Sequence, residues 1–194
     1  MLVLASSSRY RAELLGRLEL PFETCAPEFD ERAHDHRYPE LGPARFAELL
    51  ALGKAESLRV RYPEAWVLAA DQLAIVDDEL LHKPGSIEGA IDQLMQLSGR
   101  MHRLVSGIVL LDSATGAWTS TIDEQRMTMR AFDRAEAQAY VERWRPLDCV
   151  GSYRIEDPGI KLFERIEGED FTGIIGLPLL AVARLLRGAG LLVG

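Results

Sequence analysis

Residues Trp66 to Val76 (WVLAADQLAIV) form a β-rich run that is apolar except at its middle, where Asp71 and Gln72 stand side by side. A carboxylate placed inside an apolar strand is costly unless it is paired or binds a metal, so any fold of this chain must bring compensation to Asp71. Asp30 and Glu31 are candidate companions. Two or more carboxylates around a magnesium ion and a phosphate would suit phosphoryl or nucleotidyl chemistry, the metal neutralising phosphate charge and positioning water. The plainer alternative is that Asp71 lies near a strand end and pairs with a neighbouring Lys or Arg.

Around this run the chain alternates strand and helix patterns. Leu2 to Ala5 is a short apolar strand ending in Ser6, Ser7 and Ser8, after which Leu14, Leu15 and Leu18 recur at helical spacing. Phe22 to Ala26 reads as a second strand. A polar, proline-bearing loop with Asp30, Glu31, His34 and His36 follows it, then a helix from Ala44 to about Arg61, closed by Pro63. Ser86 to Leu97 and Ala135 to Trp144 read as further helices. Leu104 to Leu111 and Thr119 to Met129 read as strands joined across the turn-rich Asp112 to Gly116. After Leu162 to Glu167 a glycine-punctuated turn leads to a last amphipathic helix within Leu177 to Leu192. The pattern predicts a single α/β domain over residues 1–194, its sheet made mixed by the hairpin.

With 47% hydrophobic and 27% charged residues the chain can bury a sizeable core. A formal net charge of -8 argues against a nucleic-acid polymer as partner, because such binding rests on Lys and Arg displacing counterions, but a small anion held by a local basic cluster is compatible with it. No apolar stretch reaches the roughly 18 residues of a membrane span, and the N-terminus has no signal-peptide pattern, so a cytoplasmic protein without a membrane partner is expected. Cys25 and Cys149 lie far apart and read as two buried reduced thiols.

Several residues suit an anionic ligand. A strand running into a helix N-terminus offers free backbone N–H groups and the positive end of a dipole, and Ser6, Ser8, Arg9 and Arg11 would add donors; the alternative is an ordinary serine cap with surface arginines. The P-loop element is missing. Lys54 and Lys83 can each reach a triphosphate as a point charge, although most lysines are merely solvated. His34 and His36 lack a third ligand for a metal site, and His82 and His102 give no stronger signal. No elbow or Cys–His motif supports covalent catalysis.

Seven ordered blocks are similar to the Maf family, the septum-formation-inhibitor-like nucleotide pyrophosphatases: LASSSRYRAELL (Leu4 to Leu15), EFDE (Glu28 to Glu31), GKAESL (Gly53 to Leu58), AADQL (Ala69 to Leu73), HKP (His82 to Pro84), LSGRMHRLVSG (Leu97 to Gly107) and GSYRIEDPGIKLFERIEGEDFTGIIGLPL (Gly151 to Leu179). The resemblance implies an extended mixed β-sheet with flanking helices, two lobes around a cleft, related to the inosine triphosphate pyrophosphatase fold. It implies hydrolysis between the α- and β-phosphates of a nucleotide with a divalent cation, magnesium or manganese. Asp71 would be general base or activator of metal-bound water, Glu31 the second acidic metal ligand, and Arg11, Lys54 and Lys83 the triphosphate holders, with Ser6 and Ser8 beside them. A homodimer is a further expectation.

Two departures stand out. Many members read Ser-x-Ser-Pro-Arg-Arg in the first block, whereas this chain has Arg9 at the proline position, then Tyr10, and only Arg11 matches an arginine. The usual glycine before Lys-Pro is His82. Within the family, Asp-Thr with a later Gln resembles the dTTP/UTP branch, and Asp-Gln with a later Glu and an aromatic in the first block resembles the 7-methyl-GTP branch. Tyr10, Gln72 and Glu156 match the second branch at all three places. The competing expectations are another nucleotide substrate, dTTP/UTP included, and a nucleotide-binding regulator of cell division without catalysis.

Overall fold

The structure, a computed structural model, describes residues 1–193. Its elements are β1 (Leu2–Ala5), α1 (Arg9–Gly16), β2 (Phe22–Cys25), α2 (Tyr38–Ser57), β3 (Trp66–Val76), β4 (Glu79–Leu81), α3 (Ile87–Leu97), β5 (Met101–Asp112), β6 (Trp118–Met129), α4 (Arg134–Trp144), β7 (Phe163–Glu167), α5 (Thr172–Ile175) and α6 (Leu179–Gly188). The strands form one sheet in the order β2-β1-β3-β5-β6-β7, with β4 paired to β3. β1 runs parallel to β2 and β3, and β4 and β7 pair antiparallel, so the sheet is mixed as the sequence predicts.

Contacts divide the chain into two compact units, Met1–Gln72 with Val105–Asp123 and Asp170–Gly194, and Leu73–Leu104 with Glu124–Glu169. In the first unit the strands alternate between two apolar layers, because successive side chains of a strand point to opposite faces. Leu2, Leu4, Leu68, Ala70, Ile108 and Leu110 meet Leu14 and Leu15 of α1 and Val182 and Leu186 of α6. Val3, Ala5, Val67, Ala69, Val109 and Leu111 meet Ala51, Ala55 and Leu58. The α2 face toward the sheet is built of small residues, so helix and sheet approach closely: a Cβ on Gly107 of β5 would lie 2.4 Å from the Ala47 carbonyl carbon and 2.6 Å from the Glu48 nitrogen.

Sequence and structure differ where local backbone chemistry intervenes. The helix expected from Ala44 begins at Tyr38 as a short first turn, broken at Gly42 (φ 69°) before Pro43 opens the main helix, and it ends at Ser57 rather than near Arg61. The expected polar loop contains a 3₁₀ helix over Arg32–Arg37, and Leu18 falls beyond the end of α1. Cys25 is buried, but Cys149 is only half-buried, which corrects the expectation of two buried thiols.

The second unit is organised around α3 and α4, capped by Ser86 and Asp133, whose side chains accept the Gly89 and Glu136 N–H groups. The short β4, unforeseen from sequence, turns back from β3 through Asp77 and Asp78, both at positive φ (46° and 67°), the left-handed geometry that tight hairpins favour. His102, fully buried, contacts Tyr153 (Nε2 to hydroxyl, 2.8 Å) and lies near Phe163.

Gly107→Ala is expected to destabilise the protein by about 1–3 kcal/mol, because the added methyl meets helix backbone that cannot rotate away. Urea denaturation reads this as a lower midpoint, and an unchanged midpoint would show that α2 is free to move off the sheet.

Candidate active site

Asp71 lies in the middle of β3, not near a strand end, and is only 4% exposed. Its compensation comes from α2. Lys54 is itself buried, against the expectation for an ordinary lysine, and its Nζ lies 2.5 Å from Asp71 Oδ1 and 2.7 Å from Glu31 Oε1. One ammonium therefore serves two carboxylates. Three residues singled out separately in the sequence, in three different blocks, meet in one contact set. Asp30, the other acidic candidate, is used locally: its Oδ1 accepts the backbone N–H groups of Arg32 (3.1 Å) and Ala33 (3.4 Å) and turns the chain into the 3₁₀ helix.

The helix N-terminus after β1 combines both readings offered by the sequence. Ser8 is a true N-cap, its hydroxyl accepting the Arg11 N–H at 3.4 Å, and the buried Ser6 hydroxyl accepts the Ser8 N–H at 3.1 Å. The first N–H groups of α1 have no intrahelical acceptor by helix geometry and remain donors for an anion. Arg11 is a strut: Nε donates to the Gly176 carbonyl (2.9 Å) and Nη1 to the Ala70 carbonyl (2.7 Å), while Nη2 takes part in neither bond. Desolvation lowers its pKa from the ordinary value, opposed by the charges of Asp71 and Glu31, which places the guanidinium within electrostatic reach of both carboxylates.

The residues matched to base selection are also placed. Tyr10 is half-buried on α1 with the Arg9 guanidinium 4.7 Å from its ring centroid, and Arg9 Nη2 donates to its hydroxyl at 2.9 Å. Gln72 Nε2 donates to the Gly173 carbonyl at 2.6 Å and to the Ser106 hydroxyl at 3.3 Å, leaving Oε1 as its acceptor. Lys83 and Glu156 belong to the second unit and are exposed there.

Sequence reasoning missed Asp170 and Thr172. Asp170 Oδ1 accepts the Thr172 N–H (2.9 Å) and Oδ2 the Leu180 N–H (2.7 Å), while Thr172 Oγ1 accepts the Leu179 N–H (2.8 Å). These bonds order the turn whose Gly173 and Gly176 carbonyls hold Gln72 and Arg11. The only sequence signal was their place in the last matching block. Three of the histidines have partners of their own: His34 stacks on Phe29 (centroids 4.8 Å apart), His36 Nδ1 contacts the Ala33 carbonyl at 3.0 Å, and His102 is buried against Tyr153.

Among the described residues no cluster of three or more His, Cys, Asp or Glu is placed to hold a metal. Glu31 and Asp71 do fit the pattern magnesium takes in phosphate-handling sites, one or two carboxylates completed by phosphate oxygens and water rather than an all-protein cage.

The Maf-like protein family model matches residues 1–189. Similar relatives that carry the name 7-methyl-GTP pyrophosphatase include the following three. That of Xanthomonas campestris pv. campestris (strain 8004) is 44% identical over 97% of this chain and 96% of its own, and that of Chromohalobacter salexigens is 42% identical over 98% and 96%. That of Pseudomonas aeruginosa is 41% identical over 97% and 96%. No helix among the described residues is long and apolar enough to cross a membrane.

Lys54→Met removes the shared cation and strands a buried carboxylate, so unfolding should become easier by about 3–5 kcal/mol, read by denaturant titration near neutral pH. An equally stable variant would show that the two carboxylates do not depend on Lys54. His102 gives a pH prediction. Burial lowers its pKa from 6.5 to about 4, so the unfolded chain binds more protons than the folded one between those values, and stability falls as pH drops through that window. The loss reaches about 3 kcal/mol at the acid end. His102→Gln should flatten this part of the stability profile; an unchanged slope would assign the acid sensitivity elsewhere.

Proposed function

The chain belongs to the Maf family, and on that premise we propose that it hydrolyses nucleoside triphosphates between the α- and β-phosphates, with 7-methyl-GTP preferred. The products are a nucleoside monophosphate and pyrophosphate. The observation that carries this reading is the pairing of the buried Lys54 ammonium with both the buried Asp71 and the half-exposed Glu31 in the first unit, near Arg11 on the hydroxyl-rich α1 terminus. A structural ion pair alone would not need a second carboxylate 48% open to solvent on the same ammonium.

In this mechanism the donors of α1, the Ser6 and Ser8 hydroxyls, Arg11 Nη2 and Lys54 hold the phosphates. Positioning and electrostatic stabilisation then supply most of the rate enhancement. Asp71 accepts the proton of the water that attacks the α-phosphorus. Magnesium or manganese, held by Glu31 and Asp71 with phosphate oxygens, would neutralise developing charge and acidify the water. Lys54 keeps its contact with phosphate charge as pyrophosphate departs.

The base preference follows from charge and hydrogen bonding. Methylation at N7 gives guanine a delocalised positive charge, which favours an aromatic face, and Tyr10, whose ring centroid lies 4.7 Å from the Arg9 guanidinium, is the aromatic residue assigned to that role. Gln72 Oε1 is an acceptor that suits the guanine N1–H and exocyclic amine, and a carboxylate, the group Glu156 carries, accepts from the same two donors. Uracil and thymine offer one N–H flanked by carbonyls, which a carboxylate repels.

A panel of 7-methyl-GTP, GTP, UTP and dTTP with magnesium or manganese, measuring both pyrophosphate and monophosphate, tests the proposal. The expected ranking puts 7-methyl-GTP first, and Asp71→Asn should lower turnover by about 10²–10⁴. Glu156→Gln should narrow the preference for 7-methyl-GTP over UTP, and Tyr10→Ala should cost 7-methyl-GTP about 0.5–2 kcal/mol more than GTP. Release of inorganic phosphate would overturn the cleaved bond, and faster hydrolysis of UTP or dTTP would overturn the base assignment.

A further inference from the structure

Glu31 presents a positional problem. Its side chain is 48% exposed, so burial does not hold it, yet its carboxylate sits 2.7 Å from the buried Lys54 ammonium. The segment carrying it is fastened to α2 at two independent points. Phe29 lies against Gly53, where a Cβ would be 2.3 Å and 2.4 Å from its Cε2 and Cζ atoms. Gly53 has ordinary helical backbone, so its lack of a side chain serves the ring and not the conformation, although glycine is a poorer helix former than alanine. One turn further on, the Ser57 hydroxyl accepts the Glu28 N–H (3.2 Å) and donates to the Lys54 carbonyl (2.8 Å).

The other side of Glu31 is secured as well. The His34 imidazole stacks on the Phe29 ring at 4.8 Å with planes 10° apart, and the His34 N–H donates to the Glu31 carbonyl at 3.1 Å. Glu31 is thus the residue between an aromatic seat and a capped 3₁₀ turn, both of which take their place from the helix that carries Lys54.

We propose that Phe29, seated on Gly53, is a positioning residue that holds the Glu31 carboxylate beside Lys54, ready to ligate a divalent cation. This rests on the reading of Glu31 as a metal ligand. Phe29 touches neither the cation nor the reacting atoms; it acts by restricting a solvent-exposed side chain to one place, as supporting residues around metal sites do.

The test is titration of the full-length protein with Mn²⁺ alone by calorimetry, for wild type, Phe29→Ala, Gly53→Ala, Glu31→Gln and Phe29→Ala/Glu31→Gln. Loss of a supporting residue typically weakens metal affinity about 10–100-fold, so Phe29→Ala should show a loss of that order. Gly53→Ala, which favours the helix while crowding the ring, should lose affinity without losing thermal stability. In the Glu31→Gln background Phe29→Ala should have no further effect, because the group it positions has gone. Losses that multiply in the double variant would overturn the positioning role alone. Glu31→Gln with wild-type affinity would overturn the metal-ligand reading, and with it the proposal. Unchanged affinity in Gly53→Ala would overturn the seat even if Phe29→Ala failed to fold.

Discussion

A carboxylate in the middle of a strand covered on both faces has to be compensated, and in this protein a single buried ammonium does it. Water alone does not compensate Asp71, since β3 is flanked by apolar layers and Asp71 is only 4% exposed. Lys54 must therefore come to it, and that requirement sets how closely α2 lies on the sheet. Alanines at 47, 51 and 55 and the missing side chain of Gly107 make the approach possible. A helix with larger inward residues would stand further off and leave both charges buried and unpaired, a situation costing several kcal/mol.

The same constraint explains the work of the C-terminal segment. Gly173 and Gly176 contribute backbone carbonyls, and Asp170 and Thr172 lock the turn that presents them. Arg11 is held between that turn and Ala70, one residue before Asp71, so it adds positive potential to the carboxylate set. Its remaining Nη2 is positioned by bonds already made, which reduces the ordering cost of binding an anion.

Placement of chemistry on rigid elements runs through the site. Asp71 and Gln72 stand on β3, Lys54 on α2, Arg11 on the first turn of α1 and Ser8 at its N-cap. Glu31 is set in an irregular segment and half open to water, and its neighbours Phe29, His34 and Ser57 supply the restraint that regular structure gives Asp71 and Lys54.

How much was legible in the sequence depends on the range over which each effect operates. Hydrophobic periodicity and turn residues act over a few positions, so β1, α1, β3, α3, the β5–β6 hairpin and α6 could be read directly, and ordered blocks spanning the chain carried the family. Asp71 announced itself because a charge in an apolar strand is anomalous wherever the strand goes. The break at Gly42, the three-residue β4 and the cap made by Asp30 depend on individual backbone angles and escaped the pattern. Lys54 by contrast looked like any lysine: its burial, its double pairing with Asp71 and Glu31, and the seat of Phe29 on Gly53 join residues from separate stretches. Only tertiary packing determines such distances, because the cost of desolvating a charge and the reach of its partner have no value until helix and sheet are in contact.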